Sequence, residues 1–212
     1  MRSRAVWLMG LGLLLAGCSD PGKELASSDS KARARAIHDL VAKGGDYAAE
    51  QLAPLARSED AAAASQAITA LGRVRSDRAV EALNDVAVQE QRAALRHLAV
   101  VSLSRQGGPK ATDTLRRVIA NDPAAPVRAE AAMGLAVVGS MDDVPLLVQV
   151  ARAETDPVAA AGELTALGTL TGVEFVYDPN EPPEVRRKHI EEACDLAVRF
   201  YEMAKGLRPK GF

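Results

Sequence analysis

Five leucines, Leu40, Leu71, Leu103, Leu135 and Leu167, follow one another at intervals of 31, 32, 32 and 32 residues. A second set stands twelve residues after each of the first four, at Leu52, Leu83, Leu115 and Leu147. A third follows at fifteen, at Leu55, Val86, Val118 and Val150. Self-similarity at one period over most of a chain means a stack of like units, each contacting only its neighbours. Between the marks the sequence reads as two short helices with a break, as in the stretch from Ala64 to Val88. Ala36-Ile37, Ala67-Ile68, Ala99-Val100 and Ala131-Ala132 stand four and three residues before the mark, so with it they form one apolar helix stripe. Glu163-Leu164 is the exception in the fifth copy.

Composition agrees with an all-helical array. Ala, Leu, Arg and Glu are frequent, aromatic residues make up 3% of the chain, and strand-type runs are nearly absent. The formal net charge of −2 gives no electrostatic ground for a nucleic-acid partner. Asp29 or Ser30, Asp77, Asp122-Pro123 and Asp156-Pro157 are expected at helix entries. Gly44-Gly45, Gly72, Gly107-Gly108 and Gly139 supply the breaks within pairs.

The phrase Pro126-Val127-Arg128-Ala129-Glu130-Ala131-Ala132-Met133-Gly134-Leu135, taken with the period, resembles the short HEAT-like repeats also found in bilin-lyase relatives. The resemblance spans roughly residues 31–170 and implies an all-α fold. The expected architecture is a right-handed α-solenoid of about five HEAT-like helix pairs with a divergent C-terminal capping helix. Residues 31–169 hold the repeats, and 170–212 the divergent last repeat and cap. There the register breaks at Pro179, and Phe175, Tyr177, Phe200, Tyr201 and Phe212 concentrate. The run Leu170-Thr-Gly through Tyr177-Asp178-Pro179 resembles an ending seen in bacterial proteins with such repeats.

Residues 1–17 have another character. Arg2 and Arg4 precede an apolar run from Ala5 to Ala16, too short to span a bilayer, which takes roughly 20 residues. This reads as an export signal. Leu15-Ala16-Gly17-Cys18 resembles a bacterial lipobox, which implies cleavage before Cys18 and lipid attachment to it. Residues 18–30 then read as the lipidated Cys and a polar, flexible tether. Ser19 after the cysteine favours the outer membrane, facing the periplasm, over the inner membrane. Cys194 lies in an apolar helix stripe and reads as a small buried hydrophobe.

No catalytic constellation emerges. His38, His97 and His189 occupy unrelated repeat positions without ligand spacing, so neither a metal nor a cofactor is expected. No Gly-x-Ser-x-Gly turn or phosphate loop is present. Arg186-Arg187-Lys188 reads as a solvated charge run. One row stands out: ten residues after the mark, pointing away from the core stripe of each second helix, come Glu50, Glu81 and Asp113, with Pro145 in the fourth copy. The row is the candidate partner-binding surface, or else a solvated acidic face. The expected function is a non-catalytic protein-binding scaffold, with neither nucleic acid nor a small-molecule substrate. An enzyme or enzyme accessory akin to the chromophore-lyase relatives, and a structural spacer of the envelope, are the alternatives.

Overall fold

The computed structural model describes residues 21–206. Cys18, the segment 1–17 read as an export signal, and Phe212 lie outside the described residues. After a short helix α1 (Pro21–Leu25) come five pairs: α2 (Ser30–Lys43) with α3 (Gly45–Ala56), α4 (Ala61–Leu71) with α5 (Asp77–Gln89), α6 (Ala93–Gln106) with α7 (Pro109–Asn121), α8 (Ala125–Val138) with α9 (Val144–Ala153), and α10 (Pro157–Thr171) with α11 (Pro183–Gly206). A single 3-10 turn, Met141–Asp143, leads into α9. No strand occurs among the described residues. The first helices α2, α4, α6, α8 and α10 pack in sequence as one layer, and the second helices α3, α5, α7, α9 and α11 as another. The protein is an α-solenoid.

The repeat marks are its core. Leu40 is 1% exposed, and Leu71, Leu103, Leu135 and Leu167 are fully enclosed, as are Leu52, Leu83, Leu115 and Leu147. The fifteen-residue row is buried at Val86 and Val118 but not throughout, and the row at sixteen completes it. Leu55 and Val150 are half-buried, whereas Ala56, Ala87, Ile119 and Ala151, at sixteen, are buried throughout. Four residues separate that row from the leucine at twelve, one turn along the same helix face. With alanine at so many enclosed positions, neighbouring helices approach closely. At Gly162 of α10 a Cβ would lie 2.7 Å from Ala129 Cα of α8, so only glycine fits that crossing.

Most breaks and caps form where the sequence places them. Gly44 and Gly107 take φ of 66° and 68° to turn between paired helices. Asp29, Asp60 and Asp156 accept hydrogen bonds from the first amides of α2, α4 and α10. Asp77 is not the cap of α5. Ser76 has the extended backbone of an N-cap and its hydroxyl accepts from Ala79 N, leaving Asp77 as the first helical residue. Asp122 closes α7, and its buried carboxylate turns to Arg96 and to the amide of Ala124.

An arginine ladder that the sequence reading missed joins the units. Arg33, Arg96 and Arg128 each stand seven residues before a mark leucine. Each donates to a carbonyl of the loop entering its own helix: Ser27 O at 2.9 Å, Glu90 O at 2.9 Å, Asp122 O at 2.9 Å. Each also pairs with a carboxylate entering the next unit, Asp60, Asp122 or Glu154. The planar guanidinium satisfies a loop carbonyl and a carboxylate together, the carboxylate being buried at Asp122 and Glu154, a geometry lysine cannot offer.

The N-terminal end of the array differs from the sequence expectation, and the C-terminal end is a divergent fifth pair. The stretch expected as tether carries α1 from Pro21, and Leu25 is buried against α2. At the other end α11 packs on α9 and α10 and takes the second-helix place of the fifth pair. Its buried Ile190, Ala193 and Ala197 follow Leu167 by 23, 26 and 30 residues, as Val80, Leu83 and Ala87 follow Leu71 by 9, 12 and 16. A longer connection has entered, and the register resumes beyond it. That connection crosses α10 at Gly168, where an added Cβ would meet Val173 O at 2.8 Å, and seats Phe175 and Tyr177 on the core.

Candidate partner-binding face

The second helices bury their stripe at nine, twelve and sixteen residues past the mark, and this turns the tenth position outward. Glu50, Glu81 and Asp113 accordingly have side chains 50%, 57% and 69% exposed, one per unit on α3, α5 and α7. They are not bare acids. Arg78 Nε of the next unit lies 3.0 Å from Glu50 Oε1. Lys110 Nζ lies 2.8 Å from Glu81 Oε1 and 3.5 Å from Asp77 Oδ2. Arg78 and Lys110 share one repeat position, seven residues past their marks. The equivalent position in the fourth unit is Asp142, and Asp113 pairs instead with Arg116 on its own helix, Nη1 to Oδ1 at 2.7 Å. Arg116 Nε also reaches the buried Asp143 at 2.6 Å.

The ladder extends the length of the layer. Arg57 pairs with Asp85, and Arg152 with Glu191 at 3.3 Å and Asp195 at 2.6 Å. Arg57 and Arg152 occupy the same position, seventeen residues past Leu40 and Leu135. The hydrogen bond that Lys110 donates to Glu81 and the charge of Asp77 raise Lys110 above its ordinary range. Asp143's hydrogen bond does the same for Arg116, against the effect of burial. These groups therefore stay charged, and the face presents alternating fixed charges. A surface of this kind suits an extended segment carrying both signs better than a purely basic one. A cation one unit on from Glu50 and from Glu81 was the sequence signal for this pairing.

The remaining candidates serve the fold. Arg186 donates to Glu181 O in the connection before α11, Arg187 donates to Arg152 O of α9, and Lys188 faces Glu192 one turn along its own helix. Among the described residues no group of three or more His, Cys, Asp or Glu could hold a metal ion. No described helix is long and apolar enough to cross a membrane. Cys194 is fully buried, with burial pushing its thiol up to about 11, so it is no ready nucleophile. Glu163 is fully enclosed where the other units have alanine, and burial, aided by the charge of Glu154, pushes its carboxyl up to about 8.

Among solved structures, the chain is similar to human deoxyhypusine hydroxylase in complex with glycerol, at 16% identity over 86% of this chain and 95% of that one, with a TM-score of 0.37. It is also similar to a designed armadillo repeat protein in complex with a (KR)4 peptide, at 13% identity over 85% and 98%, with a TM-score of 0.48. No curated protein sequence matches it. A family profile for HEAT repeats matches residues 21–104 and again 85–168, from α1 into α10. The chain belongs to the HEAT repeat family.

Proposed function

We propose that this HEAT-repeat protein is a non-catalytic scaffold that binds an extended protein segment along its second-helix layer. A lipid on Cys18 would hold it to the outer membrane, facing the periplasm. The observation that carries the reading is the in-register row Glu50, Glu81 and Asp113, half or more exposed and repeated once per unit. Units stack on the order of 10 Å apart, so the row spans roughly 20 Å, the reach of a short extended segment. Each exposed pair contributes about 0–1 kcal/mol, so contacts along several units must add for useful affinity. The Leu15-Ala16-Gly17-Cys18 sequence supports the anchoring.

Site-specific photocrosslinking in cells tests the scaffold reading. A photoreactive side chain at Glu50, Glu81 or Asp113 should capture one common partner. The same group at the exposed first-helix positions Arg35, Thr69 or Thr165 should not. Equal capture from both layers, or none from the second, would overturn the reading. Cys18→Ser tests the anchor. It should abolish fatty-acid labelling and release the protein from membranes, and unchanged membrane association would refute it.

A further inference from the structure

Four residues before the mark leucine the units have Ala36, Ala67, Ala99, Ala131 and then Glu163. The glutamate is fully enclosed, and no protein group hydrogen-bonds either carboxyl oxygen. An ionised carboxylate without a partner is among the costlier things to bury, so this position contributes poorly to folding on its own. The side chain borders an open pocket of about 280 Å³, lined by Ile119, Ala120 and Asn121 of α7's last turn, Asp122 after it, Val150 and Ala153 of α9's, and Glu154. Both second helices end there, so their carbonyl termini bring partial negative charge to the cavity. Arg128 stands at the same cavity but is committed elsewhere: Nε and Nη2 donate to Glu154 at 2.8 and 2.9 Å, and Nη1 to Asp122 O at 2.9 Å.

We infer that this cavity binds a primary ammonium group on a short apolar stem, with Glu163 as its counter-ion. The aliphatic side chains of Ile119 and Val150 suit the methylenes. The carboxylate and the two helix ends suit the three ammonium donors. The volume falls a little below the range of about 300–1,000 Å³ usual for drug-sized ligands, which restricts the occupant to a small group. The chemistry is shared by a free alkylamine and by a lysine side chain of a partner segment. The site lies at the helix ends, apart from the acidic row, and does not depend on the scaffold reading.

Binding is coupled to a proton. Glu154 repels the ionised form and Arg128 favours it, while the buried Asp122 is already paired with Arg96. Tyr177 of the connection and Cys194 of α11 lie within the electrostatic reach of Glu163 and stay neutral at physiological pH. With its carboxyl held at about 8, Glu163 is mostly protonated at pH 7 and loses that proton to solvent when the ammonium enters. No covalent bond changes other than that O–H.

Calorimetric titration of the full chain with n-butylammonium chloride tests the site. Saturable binding is expected, strengthening about tenfold per pH unit up to pH 8 and levelling above. Its heat should vary with buffer ionisation enthalpy, reporting the released proton. Glu163→Gln should lose the binding, and so should Glu163→Ala, which carries the residue found in the other units. Thr165→Ala, on the exposed side of α10, should keep it. A blocked Gly-Lys-Gly peptide and its Nε-acetylated form separate the sources. Binding abolished by acetylation assigns a partner's lysine, whereas binding of butylammonium alone assigns a free amine. No saturable binding of either probe, or equal binding by Glu163→Gln, would overturn the inference.

Discussion

Arg96 and Asp122 meet in a two-point ion pair, Nε to Oδ2 at 2.7 Å and Nη2 to Oδ1 at 2.9 Å, with both side chains more than nine-tenths buried. The remaining donors and acceptors are also used: Arg96 Nη1 reaches Glu90 O and Gln91 O, and Asp122 Oδ1 accepts from Ala124 N. Removing one partner leaves the other charged and enclosed. Asp122→Ala should therefore destabilise by about 3–5 kcal/mol. Arg78→Ala, which breaks a pair with half-exposed side chains, should change stability by no more than about 1 kcal/mol. Urea unfolding of the two variants checks this, and similar losses would show that burial does not separate the two ladders.

The crossing of α8 and α10 gives a second expectation. Alanine is the better helix former by about 1 kcal/mol, so propensity alone predicts that Gly162→Ala stabilises. The new methyl would meet Ala129 at 2.7 Å from Cα and 2.8 Å from its carbonyl oxygen, and backbone cannot swing aside as a side chain can. Overpacking should win, with a net loss of about 1–3 kcal/mol and a lower melting temperature. A raised melting temperature would show that the two helices separate freely.

The parts of this fold that were legible in the sequence are those set by period. Leu71, Leu103 and Leu135 mark fully enclosed positions because one residue per unit must face the seam, whatever its neighbours do. The arginine ladder was present as Arg33, Arg96 and Arg128 at one repeat position, yet a charged residue reads as solvated until the carbonyls around it are seen. Asp77 was misplaced as a cap because Ser76 beside it is equally suited, and local backbone geometry decides between them. The fifth pair was legible only as a divergent repeat, because the longer connection moves Ile190, Ala193 and Ala197 out of register while leaving their mutual spacing intact. For the candidate face, the outward acids followed from helix geometry. The cationic partners of Glu50 and Glu81 lie in the next unit, where contact depends on stacking that a single period does not reveal.

Glu163 gives the protein a pH dependence of definite sign. Its carboxyl is raised from 4.5 to about 8 in the folded chain, so between those values the unfolded state has released a proton that the folded state keeps. As far as this residue is concerned, stability is greatest and constant below about pH 4.5, falls as pH rises through that value, and levels off above about 8. At about 1.4 kcal/mol per pH unit, the effect by pH 7 is on the order of 3 kcal/mol. Glu163→Gln should flatten the fall in melting temperature between pH 5 and 8. An unchanged slope in that variant would assign the dependence to other groups.

The charge ladder on the second helices allows the role of sign to be separated from the role of pairing. Reversing Glu50, Glu81 and Asp113 to lysine places like charges beside Arg78, Lys110 and Arg116. Because these side chains are 50–69% exposed, the cost to stability should stay near 1 kcal/mol per site and shrink in salt. Partner capture should be lost, since the row would present the opposite sign along roughly 20 Å. A swap variant, Glu50→Lys with Arg78→Glu and Glu81→Lys with Lys110→Glu, restores both pairs while keeping the row reversed. If the partner reads the row, the swap recovers stability without recovering capture. If the ladder serves only to hold the units together, the swap recovers both, and photocrosslinking from Asp113 distinguishes the two outcomes.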